Sequence, residues 1–109
     1  EIVSQGLPER ARRLGAEIRR EIASWNLPVV QGVRGLGLLL GIGLNPEMVA
    51  APEGKTIASV VVEALRQEGL LSVPAGPETV RLLPPLNVSE EEIQQALAII
   101  RRVLKTYAK

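Results

Sequence analysis

The sequence predicts an α/β fold of the α+β type, in which a small, mainly antiparallel sheet carries helices packed on one face. Apolar residues recur at three- and four-residue steps in three segments, which is typical of amphipathic helices. Between these segments lie shorter runs that alternate in polarity or are bounded by Gly and Pro, which is typical of strands. The predicted order is helix, strand, helix, strand, strand, helix.

Length and composition limit the classes of function. With 109 residues, residues 1–109 are expected to form a single domain. A net charge of +1 and an aromatic content of 2% argue against a nucleic-acid surface. The absence of Cys and His excludes disulfides, thiolate nucleophiles, Ser-His dyads and the usual zinc sites.

The ends and the hydropathy of the chain give two further expectations. No stretch is long and apolar enough to cross a membrane and no secretory signal is visible. The absence of Cys is compatible with a cytosolic origin, and we expect a cytoplasmic protein. The chain begins with Glu1 rather than Met, which a processed protein, a designed protein or a piece of a longer chain would each explain. We expect a fragment of a longer polypeptide.

The first half of the chain combines one helix with a glycine-rich segment. Leu7 to Trp25 is predicted to be a helix, and Val29 to Leu44 is rich in strand-forming residues. Gly32 and Gly35 bracket Val33 and Arg34 and predict a bend, after which alternation from Leu38 predicts one strand. One face of that strand is nearly bare glycine, which usually marks the close approach of another backbone.

Gly35-Leu36-Gly37 invites comparison with a dinucleotide-binding loop. The third glycine of that motif falls at the wrong spacing here, and a strand follows where the phosphate loop needs a helix N-terminus. We therefore reject this interpretation. Arg34 either binds an anion or holds a loop through backbone carbonyls or an ion pair, and the second role is favoured.

The second half predicts a helix, a hairpin and a final helix. Lys55 to Glu68 has an apolar stripe, and Gly69 follows where a left-handed cap is expected. Leu70 to Val73 is predicted to pair with Val80 to Leu83 across a Gly-Pro turn.

The stretch Val80 to Leu86 holds the clearest chemical group of the chain. It is an apolar run that carries one cation, Arg81, and a guanidinium in such a setting is costly unless it meets an anion. We therefore expect Arg81 to bind a carboxylate or a phosphate, from the chain or from a ligand. Ser89 and Glu92 then form a capping-box pattern that starts the last helix.

Three stretches together resemble a known family. They are VRGLGLLLG at 33–41, GLLSVPAG at 69–76 and VRLLPPLNVSEEE at 80–92. In this order they are similar to the C-terminal segment of class III pyridoxal-phosphate aminotransferases, and within that class to the acetylornithine aminotransferases. The resemblance covers essentially the whole chain.

The resemblance implies the small C-terminal domain of a fold-type I enzyme, in which a homodimer of two-domain subunits builds the active sites. It implies that Arg81 binds the carboxylate of an amino-acid substrate. Arg34, Gly35 and Gly37 would form a structural loop near that site. The alternative for Arg81 is an ion pair with a Glu of the same or of the absent domain.

The cofactor is expected to be bound elsewhere. In this family the Schiff-base lysine, the aspartate on the pyridine nitrogen and the phosphate-binding loop belong to the large domain. Lys55, Lys105 and Lys109 lie in solvated contexts rather than in the apolar pocket that a Schiff-base lysine needs. Pyridoxal phosphate is thus expected in the full enzyme and not on this chain, which should not catalyse alone.

The resemblance implies transamination between N-acetylornithine and 2-oxoglutarate, in arginine biosynthesis. An ornithine or 4-aminobutyrate aminotransferase is the alternative within the class. A free-standing regulatory module that binds a small molecule through Arg81 is the alternative outside it, although such modules usually follow a βαββαβ order. A purely structural interaction domain, favoured only by the glycine-rich face, is a third possibility.

Overall fold

Seven elements of secondary structure form the part of the chain that the computed structural model describes, residues 9–36, 39–82 and 89–107. The strands pair antiparallel throughout, and the helices share one core with a single face of the sheet. The predicted fold class is therefore confirmed. In chain order the elements are α1 (Glu9–Ser24), β1 (Val30–Leu36), β2 (Leu39–Leu44), α2 (Ile57–Gln67), β3 (Ser72–Pro74), β4 (Thr79–Leu82) and α3 (Glu90–Lys105).

α2 and α3 begin directly after residues whose side chains cap them, Thr56 and Ser89. At the start of α3, the Ser89 hydroxyl accepts a hydrogen bond from the Glu92 amide at 3.0 Å, and the Glu92 carboxylate accepts one from the Ser89 amide at 2.9 Å. Thr56 caps α2, so Lys55 lies just outside the helix that was predicted to include it. Gly69 ends α2 with a φ of 98°, as expected for a left-handed cap.

β1 and β2 form a hairpin where the sequence predicted a bend followed by one strand. The predicted bend at Val33 and Arg34 is wrong, because both residues pair in register with β2. Gly32 and Gly35 lie inside β1 and do not interrupt it; Gly35 has a φ of 138°, which favours glycine. Residues 37–38, between the two strands, lie outside the described residues.

The strand order is β1-β2-β4-β3, so β1 and β3 are the edges of the described sheet. The pairing of β1 with β2 shifts between Val30 and Gly32, which is a β-bulge in the edge strand. The opposite edge, β3, has three residues and ends at Pro74. The predicted pairing of the last two strands is confirmed by the antiparallel register of β3 with β4.

The two faces of the sheet differ because successive residues of a strand point to opposite sides. One face packs against the helices and supplies the core residues Leu40, Ile42, Leu44, Val80 and Leu82. We call the opposite side the outer face. Its described residues, identified by register and alternation, are Gly32, Arg34, Gly41, Gly43, Val73, Thr79 and Arg81.

Candidate functional site

The two arginines singled out from the sequence lie in one row across the outer face. β1 pairs Arg34 with Gly41, and β4 pairs Arg81 with the same Gly41. Residues directly opposite each other in a sheet point to the same side. With strands about 4.8 Å apart, the Cα atoms of Arg34 and Arg81 are separated by about 10 Å. The structure thus brings together two cations that lie 47 positions apart in the sequence.

Arg81 is exposed, although the sequence places it in an apolar run. Its neighbours Val80 and Leu82 are buried in the core, and alternation along β4 turns Arg81 to the outer face. The desolvation penalty expected for a guanidinium in an apolar setting therefore does not arise for Arg81 from the described residues. What remains is an accessible guanidinium held at a fixed position in a paired strand.

Neither arginine of the row is neutralised by the described part of the chain. No ion pair or side-chain hydrogen bond of Arg34 or Arg81 is found there. Arg34, which was expected to hold a loop, is instead an exposed residue inside a strand. Both guanidiniums can therefore donate paired hydrogen bonds to an anion of a ligand or of another segment.

Glycines leave the floor of the row without side chains. A Cβ built on Gly41 would lie 3.2 Å from Cγ2 of Thr79, which is a tight contact. A Cβ on Gly43 would lie 3.6 Å from the carbonyl oxygen of Gly32, which is an ordinary distance. The backbone between the two arginines is consequently open to close approach.

The rim of the site beside Arg81 is aliphatic. β3 pairs Val73 with Arg81, and the Val73 side chain remains 37% exposed. Leu71, just before β3, is 69% exposed. An anion bound to Arg81 would thus lie next to apolar surface, which lowers the local polarity and strengthens the ion pair.

The predicted structural loop is only partly described. Gly35 is in β1 opposite Leu40, at the core side of the hairpin. Gly37 lies outside the described residues. The structure therefore places Arg34 and Gly35 in a strand. That a loop including Gly37 lies near the substrate site stays a prediction.

The shifted pKa values found elsewhere among the described residues do not mark a second site. Arg66 donates hydrogen bonds to Glu63 and lowers the pKa of that exposed carboxyl. Partial burial raises the pKa of Tyr107. Among residues 9–36, 39–82 and 89–107, no cluster of three acidic side chains could hold a metal ion, and no helix is long and apolar enough to span a membrane.

The described residues do not fit pyridoxal phosphate, the cofactor that the family resemblance implies. Lys55 precedes α2 and Lys105 ends α3, and both are exposed. Lys109 lies outside the described residues. No described lysine therefore offers the enclosed amine that a Schiff base requires.

Sequence reasoning found Arg34 and Arg81 but missed that they share one row. It also missed Thr79, which borders Gly41 on the outer face. The alternation of Thr79 and Arg81 with buried Val80 and Leu82 would have placed both on one side of β4. The pairing with β1 depends on register between distant segments and has no comparable local signal.

Comparisons with known proteins agree on one family. The family model described as Aminotransferase class-III matches residues 1–104. Acetylornithine aminotransferase of Thermosynechococcus vestitus is 41% identical over 103 residues, which cover 92% of this chain and 24% of that protein. Ornithine aminotransferase of Staphylococcus carnosus is 37% identical and matches 89% of this chain and 22% of its own length.

A third relative bears a different substrate name. The LysW-aminoadipate semialdehyde transaminase of Deinococcus radiodurans is 37% identical, over 92% of this chain and 21% of that protein. Among solved structures, acetylornithine aminotransferase from Elizabethkingia anophelis superposes with a TM-score of 0.78 at 31% identity, covering 96% of this chain and 27% of that one. The chain thus spans about a quarter of the length of the proteins that it matches.

Proposed function

Because this chain belongs to the aminotransferase class-III family, we propose that it is the small C-terminal domain of a pyridoxal-phosphate-dependent aminotransferase. The family match over residues 1–104 carries the proposal. It is supported by the alignment with the acetylornithine aminotransferase relative, which covers 92% of this chain but only 24% of that protein. The proposed reaction moves an amino group between N-acetylornithine and 2-oxoglutarate, in cytoplasmic arginine biosynthesis.

The part of the reaction assigned to this chain is to bind and orient the substrate through Arg81. A planar guanidinium binds a carboxylate through two parallel hydrogen bonds, which fixes orientation as well as position. Arg81 is accessible, is held by β2 on one side and β3 on the other, and has Val73 beside it. These features suit an α-carboxylate that is followed by an aliphatic chain.

The catalytic groups are assigned to the rest of the polypeptide. A large domain would hold pyridoxal phosphate, which stabilises negative charge on the reacting carbon when it is bound. Two such subunits would form the homodimer. Residues 1–109 alone are accordingly proposed to be inactive, and their contribution is substrate binding and closure of the site.

N-acetylornithine is favoured over other donors by the relatives that bear its name. The relative at 41% identity and the structural neighbour at 31% identity are both named acetylornithine aminotransferases. Ornithine is the second candidate, because a relative of that name is 37% identical. 4-Aminobutyrate is the further alternative from the family resemblance.

The test of the substrate uses the full-length protein that contains this chain. Steady-state rates are measured with N-acetylornithine, ornithine and 4-aminobutyrate as donors and 2-oxoglutarate as acceptor. We expect kcat/KM to be highest for N-acetylornithine. A higher value for ornithine would move the assignment to the second candidate, and no transamination of any donor would contradict the enzyme itself.

The test of Arg81 is its replacement by Gln in the same protein. We expect Arg81→Gln to raise KM for donor and acceptor and to lower kcat/KM, at a cost of about 2–5 kcal/mol for the lost charge-assisted pair. Arg19→Gln is the matched control, because Arg19 is an exposed cation on α1, which packs against the other face of the sheet. Unchanged kinetics in Arg81→Gln would refute the role of Arg81.

A further inference from the structure

The guanidinium of Arg81 has no polar support among the described residues. Within residues 9–36, 39–82 and 89–107 it makes no ion pair and no hydrogen bond. A free arginine side chain samples many rotamers, and immobilising it when a ligand binds costs conformational entropy. A guanidinium that orients a substrate therefore needs another restraint. Packing of its aliphatic stem against apolar neighbours is the restraint that the sheet offers.

Val73 lies directly opposite Arg81 on the outer face. β3 pairs the two residues, and the hairpin that sets this register is closed by a 2.8 Å hydrogen bond from the Ala75 amide to the Thr79 carbonyl oxygen. Side chains opposite each other in an antiparallel pair have Cβ atoms about 4.5–5.5 Å apart. Val73 therefore stands beside the first carbons of the Arg81 stem. Its branched Cβ restricts its own rotation, so it forms a firm wall on that side.

Thr79 bounds the stem on the opposite side. The partner of Arg81 on β2 is Gly41, which has no side chain of its own. Cγ2 of Thr79 lies 3.2 Å from where a Cβ on Gly41 would stand, so this methyl group occupies part of the space that Gly41 leaves empty. Thr79 precedes Arg81 by two residues on β4 and shares its face. The stem of Arg81 thus rises between two apolar groups, one from β3 and one from its own strand.

We infer that Val73, assisted by the methyl group of Thr79, is a positioning residue that confines the stem of Arg81 and so fixes where its guanidinium meets the substrate carboxylate. The inference rests on the proposed function, which gives Arg81 that carboxylate to bind. Val73 itself needs no contact with the substrate. A guanidinium that is already restrained loses less entropy on binding, so the carboxylate is bound more tightly.

The first test measures the steady-state kinetics of the full-length protein. We expect Val73→Ala to raise KM for N-acetylornithine and for 2-oxoglutarate by about 3- to 10-fold, the cost of immobilising one long side chain. kcat should stay within about twofold, because the carboxylate is held equally in the ground state and the transition state. Val73→Ile keeps the branched wall and should keep both KM values. Thr79→Ser, which removes only the methyl group, should raise them by a smaller factor.

The matched control is Val62→Ala. Val62 is a half-buried valine on α2, which lies on the helix side of the sheet. The truncation is the same but Arg81 is on the other side, so both KM values should be unchanged. If Val62→Ala and Val73→Ala raise KM equally, the effect is a general loosening of the domain and the inference is overturned.

The second test asks whether Val73 acts through Arg81. In an Arg81→Gln background, Val73→Ala should have no further effect, because the group that it positions is gone. With N-acetylornithinamide as donor, in which a neutral amide replaces the carboxylate, Val73→Ala should leave kcat/KM unchanged. An equal loss with the amide, or a further loss in the Arg81→Gln background, would mean that Val73 supports the fold or contacts the substrate itself. Either result overturns positioning, as does an unaltered Val73→Ala enzyme.

Failure of this inference and failure of the proposed function give different results. If Arg81→Gln loses activity while Val73→Ala is unaltered or acts independently of Arg81, positioning by Val73 is wrong and the assignment of Arg81 stands. If Arg81→Gln itself leaves the kinetics unchanged, the role of Arg81 falls, and positioning by Val73 falls with it.

Discussion

The two faces of the sheet are built from the same strands but differ in side-chain composition and exposure. The side toward the helices is aliphatic, with Ile42 and Val80 paired and fully enclosed. The neighbouring pair, Gly41 with Arg81, lies on the outer face, where glycine and exposed cations replace aliphatic side chains. The inner face is what folding requires. Glycine on the outer face weakens the strands, and of Gly32, Gly41 and Gly43 only Gly41 has a packing reason, the nearby Thr79 side chain.

The largest expected effect is a loss of stability on the inner face. Ile42 is 1% exposed, and Ile42→Ala should lower the free energy of unfolding by about 2–5 kcal/mol through lost burial and a residual cavity. Thr79→Ala on the outer face should cost less than about 1 kcal/mol. Urea unfolding of both variants measures the contrast. Equal losses would mean that the outer face is a second packed core.

Removal of a buried hydroxyl on the inner face should not lower the free energy of unfolding, in contrast to Ile42→Ala. Ser72 is 9% exposed, and its Oγ has no hydrogen-bond partner among the described residues. Ser72→Ala should leave stability equal or raise it by up to about 1 kcal/mol, because an unsatisfied buried group is removed. Ser89→Ala, which breaks the cap of α3, should lower it by about 1 kcal/mol. Clear destabilisation by Ser72→Ala would mean that its hydroxyl makes a stabilising hydrogen bond after all.

Substitution of an outer-face glycine should change stability and activity in opposite directions. A Cβ on Gly43 meets nothing closer than 3.6 Å, and Gly43→Ala should stabilise the strand by about 0.5–1 kcal/mol. In the full-length protein the same methyl group would stand on the outer face, beside the row of Gly41 and Arg81 where the substrate carboxylate is proposed to bind. We therefore expect a higher melting temperature of the chain but a lower kcat/KM of the enzyme. Full activity would show that nothing approaches Gly43 closely.

The smallest expected effect concerns pH. Tyr107 packs at the margin of the core on the inner side, and this burial raises the pKa of its hydroxyl. The folded state thus holds the proton more tightly than the unfolded state. The contribution of Tyr107 to the free energy of unfolding is fully present below about pH 10, the pKa of the unfolded state. It is lost as the pH rises through the higher pKa of the folded state. Tyr107→Phe should flatten this alkaline decline in urea unfolding, and an unchanged slope would contradict the role of burial.

How much the sequence foretold depended on whether a signal was local. The cap of α3 was predictable because Ser89 and Glu92 are three positions apart and each satisfies the other's backbone. The hairpin of β1 and β2 was not, because Gly32 and Gly35 are turn-forming residues by composition and are accommodated by pairing with a neighbour strand. Tertiary pairing overrode local preference there.

The same distinction applies to the site. Arg81 was identified as a binding residue because it is the single cation of an apolar run. Its exposure was not predicted, because it follows from the inward and outward alternation of side chains along β4, which an almost uniformly apolar run does not reveal. The row that joins it to Arg34 arises from the register of three strands. Register depends on contacts between distant segments, which composition and spacing along one chain do not encode directly.

Both edges of the described sheet are poor templates for a further strand. The β-bulge between Val30 and Gly32 interrupts the regular spacing of backbone donors and acceptors along β1, and β3 offers only three residues with Pro74 at its end. Such edges resist strand-to-strand polymerisation. If this chain is separated from the rest of its polypeptide, any self-association should accordingly proceed face to face, and it should not produce fibrils seeded from a sheet edge.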